Sequence, residues 1–413
     1  MKTTLKKGPG PVRRRVVITG LGAITALGEG ADALWRAARE ARSAIRGLPD
    51  GFKGASLEAF EPEKFVTQRK SLKIMARDIQ LAVAAASLAL EDAGAKAWAG
   101  PRDRFGVIVG SGVLNHELDE LLASFQASAA PEGGVDLKRF GTDGLSALFP
   151  LWLLKYLPNM PACHISIAFN LQGVNNTITS GAAAGLQAVG EAARIIERGA
   201  ADLMLAGGAE SKVNPVGFSH YDVLGVLSRG AYRPFDERAD GIVPGEGAGF
   251  VLLEEKEHAI RRGARIYAGV TGFGSSNSSG HAIAMRAALD DAGLGADGVD
   301  YLQASGIGIP EEDRLEAGAI EEVFDGSATR LAVSASKAVT GFTGFSAGPL
   351  DLILAARAIT EQTVTPAAGL EREQKNWRLA FVKGAPRPMR VRRAMVNASG
   401  LGAQCASVVI EKS

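Results

Sequence analysis

The sequence predicts an α/β fold assembled twice from one plan. Three observations lead there. Short β-branched runs alternate with stretches of helical period. The same strand–helix–strand punctuation recurs in the second half of the chain. Glycine is abundant, at 51 of 413 residues, as many tight turns and close backbone approaches require.

Taken in order, "RRVVITGLG" (14–22) is a buried strand ending in glycines, and "DIQLAVAAASLALEDAG" (78–94) is an alanine-rich helix stopped by Gly94. "RFGVIVGSG" (104–112) is a second strand, and "HISIAFNLQGVNNTI" (164–178) is an apolar, β-rich run. "GEAARIIERGAADLMLAGGAE" (190–210) reads as helix, turn, strand and glycine stop. The order then repeats. "RIYAGVTGFG" echoes "RRVVITGLG", with Thr271-Gly272-Phe273-Gly274 matching Thr19-Gly20-Leu21-Gly22. "AALDDAG" echoes "LALEDAG", and "VDYLQASG" echoes "FGVIVGSG". The expected organisation is a basic tail over 1–14, a first half over 15–260 and a second over 261–413. The segment 115–160 belongs to the first half alone. Its stretch "LSALFPLWLLKYLP" (145–158) reads as an ordinary core helix, with an interface or pocket wall as the alternative.

Bulk properties narrow the function. Hydrophobic residues make up 46%, charged residues 22%, and the net charge is +1, which suggests neither a nucleic-acid footprint nor an acidic field. The N-terminal arm "MKTTLKKGPGPVRRR" lacks a signal peptide's apolar core and reads as solvated, and no segment offers the ~18 apolar residues of a membrane span. Two cysteines, Cys163 and Cys405, give neither a disulfide framework nor zinc spacing, so a cytoplasmic protein without metal is expected. "TGLG", "GSG" and "TGFG" lack the spacing of nucleotide loops.

The run "TSGAAAG" (179–185) lies between a strand signal and a strong helix. A small-residue turn of that kind is where many α/β enzymes hold a nucleophile, facing the helix's positive end. Its centre here is three alanines.

Several motifs in collinear order explain the empty turn. "RRVVITGLGAITALG", "LPNMPACHISIAFNLQGVNNTI", "ADLMLAGGAES", "YRPFDERADGIVPGEGAGFVLLEE" (232–255), "VSASKAVTGF" and "VNASGLGAQCASVVIEK" resemble the β-ketoacyl synthases of the thiolase superfamily. The resemblance runs nearly the whole length. It implies a thiolase-type fold with duplicated halves in a five-layered α/β/α/β/α arrangement. It also implies a dimer, whose edge-to-edge strands would cover open sheet edges.

In that family the nucleophile turn reads T-A-C-A-S-G, which places the cysteine position at Ala182 and the closing glycine at Gly185. The first histidine motif, N-A-H-G-T-x-T-P, is here "QASGIGIP", so the histidine position is Ser305 and the pantetheine-binding threonines are Ile307 and Ile309. The second, K-x-x-x-G-H, is "KAVTGF", which puts Phe342 in place of the imidazole while Lys337 and Gly341 persist. Asp313 and Glu316 match the family's acidic pair, Gly400 and Gly402 its last glycine motif, and Ser399 its gatekeeping phenylalanine. An alanine cannot form a thioester, and neither serine nor phenylalanine can replace an imidazole in decarboxylation. With no histidines to orient, a buried Lys337–Glu316 pair is expected to be structural.

Other candidates are weaker. Cys163 and His164, as strand neighbours, would face opposite ways and could not form a dyad. Ser180 and Ser305 lack a base. Of the five histidines, His258 is expected to be solvated, His116 and His220 could approach the cavity, and His164 and His281 fall elsewhere. Cys405 is a candidate displaced nucleophile.

The resemblance therefore points to a non-catalytic homologue similar to the chain-length factors of type II polyketide synthases. Such a subunit pairs with an active ketosynthase, meets acyl carrier protein through that complex, shapes the acyl tunnel and needs no cofactor. Chain-length factors commonly carry glutamine at the position of Ala182. The alternatives are an active 3-oxoacyl synthase using non-standard residues, and a homodimeric acyl-binding scaffold.

Overall fold

The computed structural model describes residues 13–49, 51–113, 116–278 and 280–413. Most of the arm expected to be a solvated tail therefore lies outside the described residues. Its described end is not free: Arg13 pairs with Asp291, Arg14 with Asp202 and Arg15 with Glu257.

The first half contributes β1 (Val16–Thr25), α1 (Arg77–Asp92), β2 (Phe105–Gly110), α2 (Met160–Phe169), β3 (Asn175–Ile178), α3 (Ala184–Glu197), β4 (Leu203–Ser211), α4 (Pro215–Val223) and β5 (Glu246–Glu255). The second contributes β6 (Ala268–Ser276), α5 (His281–Ala292), β7 (Tyr301–Gln303), α6 (Pro310–Phe324), β8 (Ala332–Ser334), α7 (Lys337–Thr340), α8 (Ala347–Glu361), β9 (Ala380–Phe381), β10 (Arg393–Ser399) and β11 (Cys405–Glu411).

The two halves share one strand order. The first runs β1-β5-β4-β2-β3, and the second runs β6-β11-β10-β7-β8 with β9 added at its edge. Parallel and antiparallel pairings follow the same sequence in each. The halves join where β1 meets β6 antiparallel, Val16 opposite Val270. Even the irregularities repeat: the β1–β5 register skips Thr19, and the β6–β11 register skips Thr271. The glycine after each bulge lets a helix close on the sheet. A Cβ on Gly20 would lie 2.2 Å from the Ala89 carbonyl oxygen of α1, and one on Gly272 would lie 2.2 Å from that of Ala288 in α5. Both separations are far below contact distance, so the duplicated "TG" pattern records one packing requirement met twice.

Helices α3 and α8 pack on each other and touch strands of both sheets, while α1 and α2 cover one outer face and α5 and α6 the other. The result is the five-layered arrangement. Every residue of β1, β4 and β5 is buried, which is why these strands read as continuous apolar runs rather than alternating ones.

Two local expectations fail. The run holding Cys163 and His164 is helical in α2, with β3 beginning only at Asn175. Pro161 at its start and an all-round apolar character favour a buried helix over a strand there. The two side chains still do not form a dyad, since i and i+1 on a helix diverge. The stretch 145–158 is not a core helix. It breaks into short turns around Pro150, leaving Phe149 and Leu153 51% and 59% exposed.

Candidate functional site

Ala182 lies in the turn before α3, 9% exposed, beside Gly181 at φ +54°. That left-handed geometry is one glycine adopts without strain. Close packing beneath the turn depends on Gly185, where a Cβ would stand 2.0 Å from the Phe345 carbonyl oxygen.

One side of Ala182 is apolar. It belongs to one hydrophobic cluster with Phe218, Tyr221, Tyr232, Ile307 and Phe342, and Ile309 and Leu401 pack against this cluster. The Phe342 ring is 3% exposed and meets the Tyr221 ring edge-on at 6.2 Å. Gly341 (φ +74°) turns the chain so that the Phe342 N–H donates to the Val243 carbonyl at 2.7 Å and its carbonyl accepts from Gly245 N–H at 2.9 Å. The aromatic ring is thus fixed on both sides of its backbone. Gly400 and Gly402 carry the neighbouring wall, where Cβ atoms would stand 2.9 Å and 2.6 Å from the Gln404 amide group.

Ser305 packs against Ser399, the neighbour of Gly400. It is 1% exposed, and its Oγ lies 2.9 Å from Ser399 Oγ and accepts from Ser399 N–H at 3.1 Å. The residues expected at the gate and first histidine positions, Ser399 and Ser305, therefore close on each other. Glu316 braces the loop, accepting from the Ser305 and Gly306 N–H groups at 2.8 Å each and from Asn397 Nδ2 at 3.1 Å. One helical turn earlier, Asp313 accepts from Phe235 N–H at 2.7 Å and Gly308 N–H at 3.0 Å. Burial pushes the Asp313 carboxyl up to about 7 despite these donors.

The expected Lys337–Glu316 pair does not form. Lys337 Nζ instead lies 2.8 Å from Asp351 Oδ2, with side chains 3% and 1% exposed, and also donates to the Ser305 carbonyl. Asp351 is further held by Gln303 Nε2 at 2.7 Å and by Ser336 Oγ. Glu316 is already engaged by the Ser305 and Gly306 N–H groups and by Asn397, whereas Asp351 enters from α8 and meets the lysine.

Neither cysteine lines the cavity that contains Ala182. Cys405 is 2% exposed, and burial, then Glu316, push its thiol up to about 12, so it stays protonated. Cys163 lies on α2. Nor is His258 solvated: its Nδ1 sits 2.5 Å from Glu254 Oε1, and its ring packs 5.0 Å from Trp98. His116 is enclosed by Trp152 and Tyr156 at 4.9 and 4.4 Å. His164 and His281 are buried, at 4% and 3% exposure.

A cavity of about 220 Å³ opens above Ala182, lined also by Glu210, Lys212, His220, Tyr221, Phe342 and Phe345. Of the two histidines expected to approach it, His220 is the one that does, and burial holds its imidazole below the usual value. Glu210, Lys212, Phe345 and Asp351 were missed in the sequence. A signal existed for two of them: Glu210 ends the apolar strand "LMLAGGAE", and Asp351 interrupts the apolar helix "AGPLDLILAARAI". A lone charge in such a run needs a buried partner.

Comparison with known proteins agrees with this architecture. Residues 13–259 match the family described as Beta-ketoacyl synthase, N-terminal domain, and residues 259–371 match Beta-ketoacyl synthase, C-terminal domain. A 3-oxoacyl-[acyl-carrier-protein] synthase 2 of Coxiella burnetii is 32% identical, over 97% of this chain and 99% of that protein. A solved structure titled the ishigamide ketosynthase/chain length factor superposes with a TM-score of 0.84 at 29% identity, covering 97% of this chain and 100% of that one. Another, AntDE:AntF, a type II polyketide synthase acyl-carrier protein in complex with its ketosynthase bound to the hexaketide, gives 0.81 at 25% identity, over 97% of this chain and 100% of that one. No helix among the described residues is long and apolar enough to cross a membrane. With both family domains matched in order on a duplicated fold, the chain belongs to the β-ketoacyl synthase family.

Proposed function

We propose that this chain is a non-catalytic ketosynthase-family subunit that pairs with a cysteine-bearing ketosynthase and shapes the tunnel in which the acyl chain grows. One observation carries the reading: the positions aligned with the nucleophile and the second histidine, Ala182 and Phe342, sit in one hydrophobic cluster, and the first histidine position is buried against Ser399. A methyl group has no lone pair to attack a thioester, and a phenyl ring cannot hold the carbonyl oxygen of a decarboxylating malonyl group.

The surface supports pairing. Strand β3 is the last of its sheet and presents an open edge. Nearby in sequence, Leu118, Leu122, Leu145, Phe149, Leu151 and Leu153 are 46–59% exposed. An open edge and exposed large apolar side chains are both liabilities in a lone chain and assets in an assembly. The exposed Arg69, Lys70 and Lys73 around a short turn, which make no ion pair among the described residues, would suit a carrier protein that presents an acidic surface.

The test is direct. The purified protein is incubated with malonyl- and acyl-loaded carrier protein, then co-expressed with a ketosynthase that retains its cysteine. The expected outcome is no carbon dioxide release by the chain alone and a stable 1:1 heterodimer on co-expression. Turnover by the isolated protein would establish the alternative of a working synthase, and exclusive homodimers would establish the scaffold.

A further inference from the structure

The cavity above Ala182 lost a thiol but contains an amine. Lys212 Nζ lies in that cavity, its side chain 15% exposed, 5.4 Å from the Tyr221 ring centroid and 5.5 Å from that of Phe345. It is ion-paired with Glu210, whose side chain is 3% exposed. Glu210 is fixed in turn by the Phe345 N–H at 2.7 Å and the Tyr221 hydroxyl at 3.4 Å. Lysines drawn out of water are the ones that condense with carbonyl compounds, and the two rings place Lys212 in that setting, with the Glu210 carboxylate against its nitrogen as the proton acceptor.

Charge selects the ligand class. Glu210 already balances Lys212, so the cavity offers no net positive charge to an anion, while its Ala182, Phe342 and Phe345 walls favour a neutral group. At about 220 Å³ it falls below the roughly 300–1,000 Å³ of drug-sized clefts, which restricts it to short chains.

We propose that Lys212 forms an imine with the ketone of a short 3-oxoacyl thioester entering the cavity above Ala182. This deepens the tunnel-shaping function and rests on it for the substrate class. Glu210 takes a proton from the ammonium group, and the freed nitrogen attacks the ketone carbon. A C–N bond forms, and the carbonyl oxygen receives the proton back as a hydroxyl. That hydroxyl leaves as water with one further proton, the second nitrogen proton is released, and C=N remains. No oxidant or reductant takes part, and hydrolysis reverses the step. The imine would hold a β-keto intermediate in place without the acyl transfer that a thiol performs.

The experiment uses the full chain, alone and in its complex, with acetoacetyl-N-acetylcysteamine as probe and sodium cyanoborohydride to trap the imine. Butanoyl-N-acetylcysteamine, which lacks the ketone, is the control. Peptide mass mapping of the unaltered protein is expected to find the reduced adduct on Lys212, dependent on both ketone and reductant. Lys212→Arg removes it, and Glu210→Gln slows its formation about 100-fold or more, the usual contribution of a positioned proton acceptor. An unlabelled Lys212, or one labelled no faster than the exposed Lys70, overturns the proposal, and the unaltered protein decides this without any variant. Labelling of Lys212 by the control without reductant overturns it too, since that product is a simple amide. Pairing is measured separately by size: an intact heterodimer with no adduct overturns this inference alone, and an adduct without pairing overturns only the earlier function.

Discussion

Replacing Lys337 by methionine removes one half of a buried ion pair and leaves Asp351, 0% exposed, without its cation. Breaking such a pair from one side costs about 3–5 kcal/mol, because the remaining charge keeps its desolvation penalty. The Gln303 and Ser336 donors to Asp351 survive, so the lower part of that range applies to the carboxylate, and loss of the bond to the Ser305 carbonyl adds to it. With about 2.1 cal/mol/K of unfolding entropy per residue, a 413-residue chain loses about 1 °C of Tm per kcal/mol. Lys337→Met is therefore expected to lower Tm by about 3–6 °C in differential scanning calorimetry. The double variant Lys337→Met/Asp351→Leu removes both charges and should recover most of the loss, since an apolar pair of similar volume is often as stable as a buried ion pair. A single variant within 1 °C of the parent, or a double variant no better than the single, would falsify the assignment of this lysine to structure.

Ala182→Cys alone is expected to give no condensation of acyl and malonyl groups, measured by product formation, because Phe342 and Ser305 still offer no imidazole. Detectable turnover would mean that the histidine positions are wrongly placed. Asp78 is 3% exposed, accepts from the Ser211 N–H at 2.7 Å, and is pushed up to about 7 by burial and then by Glu210. A carboxyl whose folded value is raised above its ordinary one favours the folded state below about 4 and loses that benefit as pH rises through 7. Asp78→Asn should thus raise Tm at pH 8 relative to the parent and change it little at pH 4; equal effects at both refute the placement. Cys405, held near 12, should resist thiol reagents in the native protein at neutral pH and react after denaturation, while the half-buried Cys163 reacts first. Leu153→Asp, at a position 59% exposed, should leave the monomer's Tm within about 1 °C, as surface changes usually do, yet weaken heterodimer formation in size-exclusion chromatography.

The sequence by itself determined the duplicated α/β plan, because the requirement behind it is local. A glycine must follow each bulged threonine, at Gly20 and Gly272, or the helix backbone cannot approach. It also determined the absence of a thiol at residue 182, since a residue's chemistry is legible without its neighbours. What it left open was pairing across long separations. Lys337 was expected to meet Glu316 and meets Asp351 instead, while Glu316 accepts from backbone N–H groups that only the folded loop presents. The helix at 160–169 and the broken segment at 145–158 escaped for a related reason. An apolar run states that a surface must be covered, but the neighbouring layers decide whether a helix, a strand or another chain covers it. Tertiary structure alone brought Glu210 and Lys212 of β4's end, Tyr221 of α4 and Phe345 before α8 around one cavity, because burial and contact between distant segments arise only when the two sheets close around α3 and α8.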